Sequence, residues 1–388
     1  MFEFPVDEAS ALIDAEPPGL EPISENLYYP VYRDSIVSLT GWIEELLLAG
    51  GGPLAEAARG REKVVLVLLD ALGLSTLWWH RERAEWMLHN ASETRILSSV
   101  APSTTATALV SLATGTVPAV HGVSGYRVYL KELGSIVKTF EMRHPGEQWG
   151  SSISLPGDFR LVAAETVFER LARSGVPSVA FASKYHSDST FTRELLRGAA
   201  VVEHSSISDL VVGAVDAARE LKRGLVYVYW SEIDSLSHDY GPASKRVGEA
   251  VGLASSIVRR IVEEASDEAL VLVTADHGHI SRGRVEVVSP SPDWLAPPFG
   301  ERRLLYVLSR GSCDLDADAV RIDRGGYARL FGGEPGPGVK ERFGDCTYVM
   351  RGDAVAIYPY KPEEGVDVMT GFHGGLTLSE LLVPLIAF

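Results

Sequence analysis

Only two cysteines, Cys313 and Cys346, occur in this 388-residue chain. With no Cys-x-x-Cys pair, neither a dense disulfide framework nor a cysteine zinc site is indicated, and one isolated bond is left open. No stretch of about 18 apolar residues runs without a charge, VVLVLLDALGL and the chain end coming nearest, so no membrane association is expected. The opening MFEFPVDEASALIDAEPPG is acidic and proline-bearing where a secretion signal needs a basic start and continuous apolar text, and a cytoplasmic location is the expectation. Positive charge is also scarce: 36 Lys and Arg stand against 52 Asp and Glu, a formal net charge of −16. That sign works against holding a nucleic-acid backbone by general attraction, so no stable nucleic-acid complex is expected. Any phosphate handled here must be met locally by a metal, a basic side chain or backbone amides. No internal repeat, low-complexity tract or long charge block is present, and nothing in the sequence fixes an oligomeric state.

What the chain does have is apolar text, 46% of its residues, enough for a large core. Four short runs, Val64 to Leu69, Ser178 to Ala182, Leu225 to Trp230 and Leu270 to Thr274, are apolar at consecutive positions, as strands covered on both faces of a parallel sheet should be. Helical patterns lie between them at Leu161 to Arg173, Asp209 to Lys222 and Ser244 to Glu264. Alternating strand and helix gives an α/β class, a mostly parallel sheet sandwiched by helices.

Residues 1–60 read as an irregular lead-in with one helix, Asp34 to Leu48, stopped by Gly50-Gly51-Gly52-Pro53. The core is assigned to 61–284 and 350–388. Between them, 285–349 turns to prolines, glycines and scattered charges and reads as an inserted cap subdomain; a smaller departure spans Val123 to Asp158. Ala354 to Tyr358 and Leu381 to Phe388 are expected to rejoin the main sheet.

Ligands of an open parallel sheet bind beyond the carboxyl ends of its strands. There the sequence places acids: Asp70 after the first run, Asp234 after the third and Asp276-His277 after the fourth. Aspartates abutting buried strands call for a counter-charge, and a divalent cation is the simplest. His238 stands four residues after Asp234, and His373 lies in the glycine-rich TGFHGGLT. Each pair taken alone reads as a surface ion pair, a strand-end hydrogen bond or a structural histidine. Together, three Asp and three His supply oxygen and nitrogen donors suited to two zinc-like ions about 4 Å apart. The segment APSTTATALVSLATG adds a hydroxyl: it predicts a short helix with Thr105 in or near the first turn, either a plain capping residue or a nucleophile favoured by the helix dipole.

In chain order, LLDALG, PSTTATALVSLATGTVPAVHG, DSLSHDYGP, ADHG and FHGGLT together resemble the alkaline phosphatase superfamily, most closely its type I phosphodiesterase and nucleotide pyrophosphatase branch. The likeness frames most of residues 64–280 and 354–388. It implies an alkaline phosphatase-like fold and two divalent metal ions, zinc first, with manganese or magnesium as alternatives. Asp70, Thr105, Asp276 and His277 match the ligands of one ion, and Asp234, His238 and His373 those of its partner. In the family the nucleophile stands three residues after a proline and ten before the glycine of Thr-Gly, which selects Thr105 over Thr104. His121 matches a supporting histidine, and His279 is a candidate for a supporting role.

The resemblance implies a metal-dependent hydrolase cleaving phosphodiester or nucleotide pyrophosphate bonds through a phospho-threonine intermediate, with a small phosphate ester or nucleotide as substrate. A phosphomonoesterase, a phosphonate hydrolase of the same superfamily, and a non-catalytic anion- or protein-binding relative stand as alternatives. One departure matters: where nucleotide pyrophosphatases place an Asn three residues after the nucleophile, this chain has Ala108. The backbone amide beside Thr105, Lys184 in ASKYHS and a residue of an insertion are the candidate substitutes, Lys184 being the side chain named for binding substrate phosphate. Trp149, Tyr126, Tyr129 and Tyr185 are candidates for lining a pocket for the second ester group.

Overall fold

The computed structural model describes residues 4–147, 152–155, 157, 159–360 and 369–388. The four apolar runs become the strands Lys63–Leu69, Ser178–Ser183, Gly224–Trp230 and Leu270–Thr274. With Glu93–Ser98, Ala200–His204 and Leu382–Ala387 they form one seven-stranded sheet, ordered by first residue 93, 382, 270, 63, 224, 178, 200. Five neighbours, from Leu270–Thr274 to Ala200–His204, run parallel; Leu382–Ala387 is antiparallel to both of its neighbours. Every residue of Lys63–Leu69, Leu270–Thr274 and Leu382–Ala387 is buried, so no position alternates toward water and the segments read as unbroken apolar text. Helices Ile207–Glu220 and Lys245–Ala265 pack on each other and on the sheet, as Ile36–Ala49 does with Thr105–Thr114. The helix expected from Leu161 starts later, at Val167, because Thr166 and Glu169 close a capping box there.

Strand registry aligns the ends of three central strands. Leu69 lies beside Trp230 and Leu68 beside Thr274, so the residues after these strands emerge together at one edge of the sheet.

A second, six-stranded antiparallel sheet lies beyond that core, ordered Ala319–Asp323, Cys346–Met350, Leu304–Val307, Phe299–Gly300, Arg127–Leu130, Ser135–Lys138. It is built from two excursions of the chain: the stretch 299–350, and the hairpin from the smaller departure, joined where Gly300 pairs with Arg127. Tyr306, Phe331 and Phe343 pack ring to ring within it. Cys313 and Cys346 form the disulfide left open by the sequence, with Cα atoms 6.3 Å apart.

Two expectations are corrected. Val355–Ile357 does not rejoin the main sheet but pairs in parallel with Val285–Val287; its apolar text signals burial, and the partner is chosen by tertiary contacts that local pattern does not encode. The lead-in is also more regular than expected, holding a helix Val6–Leu12 and a hairpin of Glu21–Ser24 with Leu27–Tyr29 around Asn26, whose φ of +58° suits the turn.

Candidate metal centre

The hydroxyl comes from helix Thr105–Thr114, all ten residues of which are buried. The chain enters it extended at Thr104 and leaves at Gly115, where φ is +61°. Ala108 N–H is the first to close on a carbonyl, that of Thr104, which leaves the amides before it without an intrahelical partner. Of the two adjacent hydroxyls, Thr105 Oγ1 lies 3.0 Å from His277 Nε2, whereas Thr104 hydrogen-bonds Glu301.

The acids arrive from the common strand edge. Asp70 directly follows Lys63–Leu69, and Asp276-His277 follow Leu270–Thr274 after a single alanine. The turn at Gly278 has no room for a side chain, since an added Cβ would stand 2.1 Å from Ser379 O. Asp234 and His238 occupy successive turns of helix Glu232–Tyr240, and His373 follows the short strand Gly371–Phe372.

These seven side chains, joined by His279, converge in two adjoining groups. In the first, Asp234 Oδ1 is 3.5 Å from His238 Nε2, 3.7 Å from His373 Nε2 and 2.8 Å from His279 Nε2, with the His238 and His373 Nε2 atoms 3.1 Å apart. In the second, His277 Nε2 is 3.0 Å from Thr105 Oγ1, 3.4 Å from Asp276 Oδ2 and 3.6 Å from Asp70 Oδ1. Asp234 belongs to both, its carboxylate also lying within 4.8 Å of the donor atoms of Asp70 and His277.

Surrounding contacts fix the orientation. The Nδ1–H groups of His238, His277 and His373 donate to the carbonyls of Gly371, Gly278 and Ser103 at 2.9, 3.1 and 3.3 Å. That leaves each Nε2 bare and facing the centre, the tautomer a metal ligand needs. Tyr229 donates its hydroxyl to Asp70 Oδ2, while Asp276 Oδ1 accepts from the N–H groups of Ala71 and His277 at 3.1 and 3.0 Å.

The opposite oxygens, Asp70 Oδ1 and Asp276 Oδ2, are buried with no hydrogen-bond partner. Burial, and after it the charges of Asp276 and Asp234, pushes Asp70 well above the usual carboxylate range; burial likewise raises Asp276. Burial also opposes ionisation of Asp234, yet His238, His279 and His373 outweigh it and hold that acid below its ordinary value. Burial drives His373 well below the usual imidazole range, so it stands neutral with a free lone pair. Unpartnered carboxylate oxygens beside neutral imidazoles are a donor set in want of cations, and divalent metal ions fit it.

A cavity of about 730 Å³ opens beside Thr105, Asp70 and Asp234 and runs to an apolar wall of Phe140, Phe181, Phe191, Leu195 and Leu196. Lys184 does not reach it. The turn after Ser183 directs that side chain outward, its ammonium 5.2 Å from the centre of the exposed Tyr185 ring, while Ser183 and His186 line the cavity instead. Tyr126 and Tyr129 also stand outside the wall, the first donating to Glu141 at 2.7 Å and the second packed on Phe299. Trp149 lies outside the described residues.

Two acids near the centre are absent from the sequence reading. Glu301, from the second sheet, accepts the Tyr126 N–H at 2.6 Å as well as bonding Thr104, and Gly374 admits it: a Cβ there would meet Glu301 Cβ and Cγ at 2.8 Å. Glu380 forms a fully buried two-pronged pair with Arg303, Nε to Oε1 at 3.1 Å and Nη2 to Oε2 at 3.0 Å. It also accepts the Gly375 N–H at 2.8 Å, and Ser103 Oγ donates to the Gly375 carbonyl at 2.7 Å. The loop carrying His373 is thereby clamped from both sides. Glu301 has no local signal, being defined by partners distant in sequence; Glu380 has one, the Thr-x-x-Glu pattern by which it closes a capping box with Thr377, whose N–H and hydroxyl donate to its Oε2 at 3.2 and 2.8 Å.

His121 supports the helix from behind, its Nε2–H donating to Ser111 Oγ at 2.8 Å and its Nδ1 accepting the Val123 N–H at 3.1 Å. Burial, aided by the charge of Arg342, lowers its pKa to about 3. In the unfolded chain this imidazole takes a proton near pH 6.5. Its contribution is therefore intact above that pH and drains by about 1.4 kcal/mol per unit as the pH falls toward the folded value. His121→Asn should flatten the dependence of unfolding free energy on pH by roughly one proton between about pH 6 and 4. Urea titrations across that range check it; identical slopes in the two proteins would mean the buried imidazole takes up its proton without unfolding.

Comparison with known proteins bears on the family and the fold. The sequence model of the family described as type I phosphodiesterase / nucleotide pyrophosphatase matches residues 64–290, a span that holds Asp70, Thr105, Asp234, His238, Asp276 and His277. No curated protein matches the chain by sequence. Among solved structures, murine ectonucleotide pyrophosphatase / phosphodiesterase 5 superposes with a TM-score of 0.64 at 14% identity, over 84% of this chain and 87% of that one. The human form gives 0.62 at 13%, over 84% and 87%. Phosphonoacetate hydrolase from Sinorhizobium meliloti gives 0.62 at 17%, over 84% and 90%. With the fold shared across those structures and the family's sequence pattern laid over the strand-end acids, the chain belongs to the type I phosphodiesterase / nucleotide pyrophosphatase family of the alkaline phosphatase superfamily.

Proposed function

We propose that the protein hydrolyses phosphodiester or nucleotide pyrophosphate bonds of small esters or nucleotides through a phospho-Thr105 intermediate, with two zinc ions as cofactors. The observation that carries the reading is the cavity of about 730 Å³ beside Thr105, large enough for an organic group on phosphorus and walled on its far side by phenylalanine and leucine. Asp70, Thr105, Asp276 and His277 would hold one ion, and Asp234, His238 and His373 the other. The ions, when bound, supply charge neutralisation at the phosphoryl oxygens and acidify the threonine hydroxyl. Against three carboxylates, two divalent ions leave a net +1, which answers locally the −16 of the whole chain.

Within that frame Thr105 Oγ attacks phosphorus, the bond to the leaving oxygen breaks and a threonine phosphoester forms; water then cleaves the ester and restores the hydroxyl. The unpaired amides of the first helical turn are the donors available to a phosphoryl oxygen where Ala108 has none. The murine neighbour is also known in complex with AMP, and the bacterial one with phosphonoacetate, so both a nucleotide and a phosphonate are within the range of this fold. A monoesterase reading has one observation behind it: Arg143 and Arg193 line the same cavity, the second bound to Asp188 at 2.6 Å, as basic groups that a dianionic phosphate could engage.

The test is a panel of bis-nitrophenyl phosphate, nitrophenyl phosphate and phosphonoacetate with the zinc-loaded protein. The diester should turn over fastest. Faster monoester hydrolysis would favour the arginines as phosphate ligands, faster phosphonate cleavage the phosphonatase, and turnover of none of the three a binding relative.

A further inference from the structure

We propose that His279 is a fourth protein donor to the cation held by Asp234, His238 and His373, making that position a centre of three histidines and one carboxylate. The inference rests on the two-metal reading and concerns how one of its two positions is built. Zinc bonds nitrogen at about 2.0–2.1 Å and carboxylate oxygen at about 2.0–2.2 Å, and a five-coordinate shell, which leaves one position open to a phosphoryl oxygen beside four protein donors, has donor–donor edges of roughly 2.9–3.6 Å. The separations here, 2.8, 3.1, 3.5 and 3.7 Å, span that range. All four donor atoms lie within 4.8 Å of one another.

The His279 ring has little other purpose. Its side chain is fully buried, its Nε2 meets Asp234 Oδ1, and its Nδ1 has no partner. The other three histidines of the centre each spend Nδ1 on a backbone carbonyl. Gly371 lets the backbone close on this ring: a Cβ there would meet Ser237 O at 2.1 Å and His279 Nδ1 at 3.2 Å. It packs against the His238 and His373 rings with centroids 4.7 and 4.9 Å away. His277 and His279 thus flank Gly278 and serve one position each, so a three-residue segment feeds both halves of the centre. Three imidazoles also make the second position nitrogen-rich, a set that favours zinc over magnesium, whose preference is for oxygen.

Zinc titration with a competing chelator, together with visible absorption of the Co²⁺-substituted protein, tests the assignment. Wild type should take two ions. His279→Ala, and His279→Gln, which refills the space, should each lose more than the roughly 10–100-fold in affinity that removing an outer hydrogen-bond partner costs, at one position only, with a changed Co²⁺ spectrum and native circular dichroism. Variants whose Co²⁺ spectrum is unaltered, with affinity unchanged or reduced only within that roughly 10–100-fold, would reduce His279 to a hydrogen-bond donor and overturn the proposal. Wild type taking fewer than two ions would instead withdraw the two-metal reading itself, so the two failures are distinguishable. Proton NMR of the Co²⁺ protein needs no variant: four paramagnetically shifted imidazole N–H signals support His279 as a ligand, and three overturn it.

Discussion

On the proposed reaction, Thr105→Ala should lower turnover of a phosphodiester by on the order of 10⁴-fold or more while two metal ions still bind. The expected loss is large because that reaction makes the hydroxyl the atom that bonds phosphorus, and nothing else in helix Thr105–Thr114 points an oxygen at His277. Metal content survives because the donors at each position include buried carboxylate and imidazole groups that the substitution leaves in place. The fold survives too, since alanine suits a first helical turn and the change removes only a small part of a buried side chain. Thr105→Ser keeps an oxygen but frees its rotamer, and should retain a small fraction of the rate. Steady-state kinetics, metal analysis and acid-quench trapping of a phosphoprotein check the set. Near-normal turnover in Thr105→Ala would shift the reaction to Thr104 or to direct attack by water.

Arg303→Met costs about 3–5 kcal/mol of stability, because it leaves the Glu380 carboxylate buried and uncompensated. Burial already works against ionisation of Glu380, and the Arg303 guanidinium is what holds its pKa below the ordinary value. The damage should not stay local. Glu380 accepts the Gly375 N–H, so a displaced carboxylate loosens the loop that presents His373. Combining Arg303→Met with Glu380→Gln should recover part of the loss by removing the orphaned charge. Urea denaturation of wild type and the two variants measures this, and Arg303→Met within about 1 kcal/mol of wild type would show that water reaches the carboxylate.

The strands legible in the sequence are those covered on both faces. Lys63–Leu69 and Leu270–Thr274 are wholly buried and can be read from composition alone. Ala200–His204 is an exposed edge strand, Val201 and Val202 remaining 44% and 41% exposed, and without a buried face it leaves no periodic signal. Asp70, Asp276 and His277 are legible because a carboxylate placed straight after a buried strand is costly unless a cation or a hydrogen-bond donor meets it there. Lys184 shows the weakness of that logic, for the position after a strand fixes where a side chain starts and not which way it turns. Glu301 and the closeness of His279 to Asp234 lie beyond local reading, since only tertiary contact brings a residue of the second sheet to Thr104 or an imidazole to a carboxylate 45 positions away. His279 has one clue, its alternation with His277 about a glycine.

The way the second sheet is assembled limits how it can be exchanged. The hairpin Arg127–Leu130 with Ser135–Lys138 supplies two of its six strands and enters the fold shortly after helix Thr105–Thr114, far from the stretch 299–350 that supplies the rest. A chimera that swaps only the longer stretch for a homologue's would strand that hairpin beside a foreign edge and lose the bridge between Gly300 and Arg127. Specificity transplants among such enzymes must therefore move both pieces as one graft, with Glu301 travelling in the second as the link to the recipient's own threonine pair.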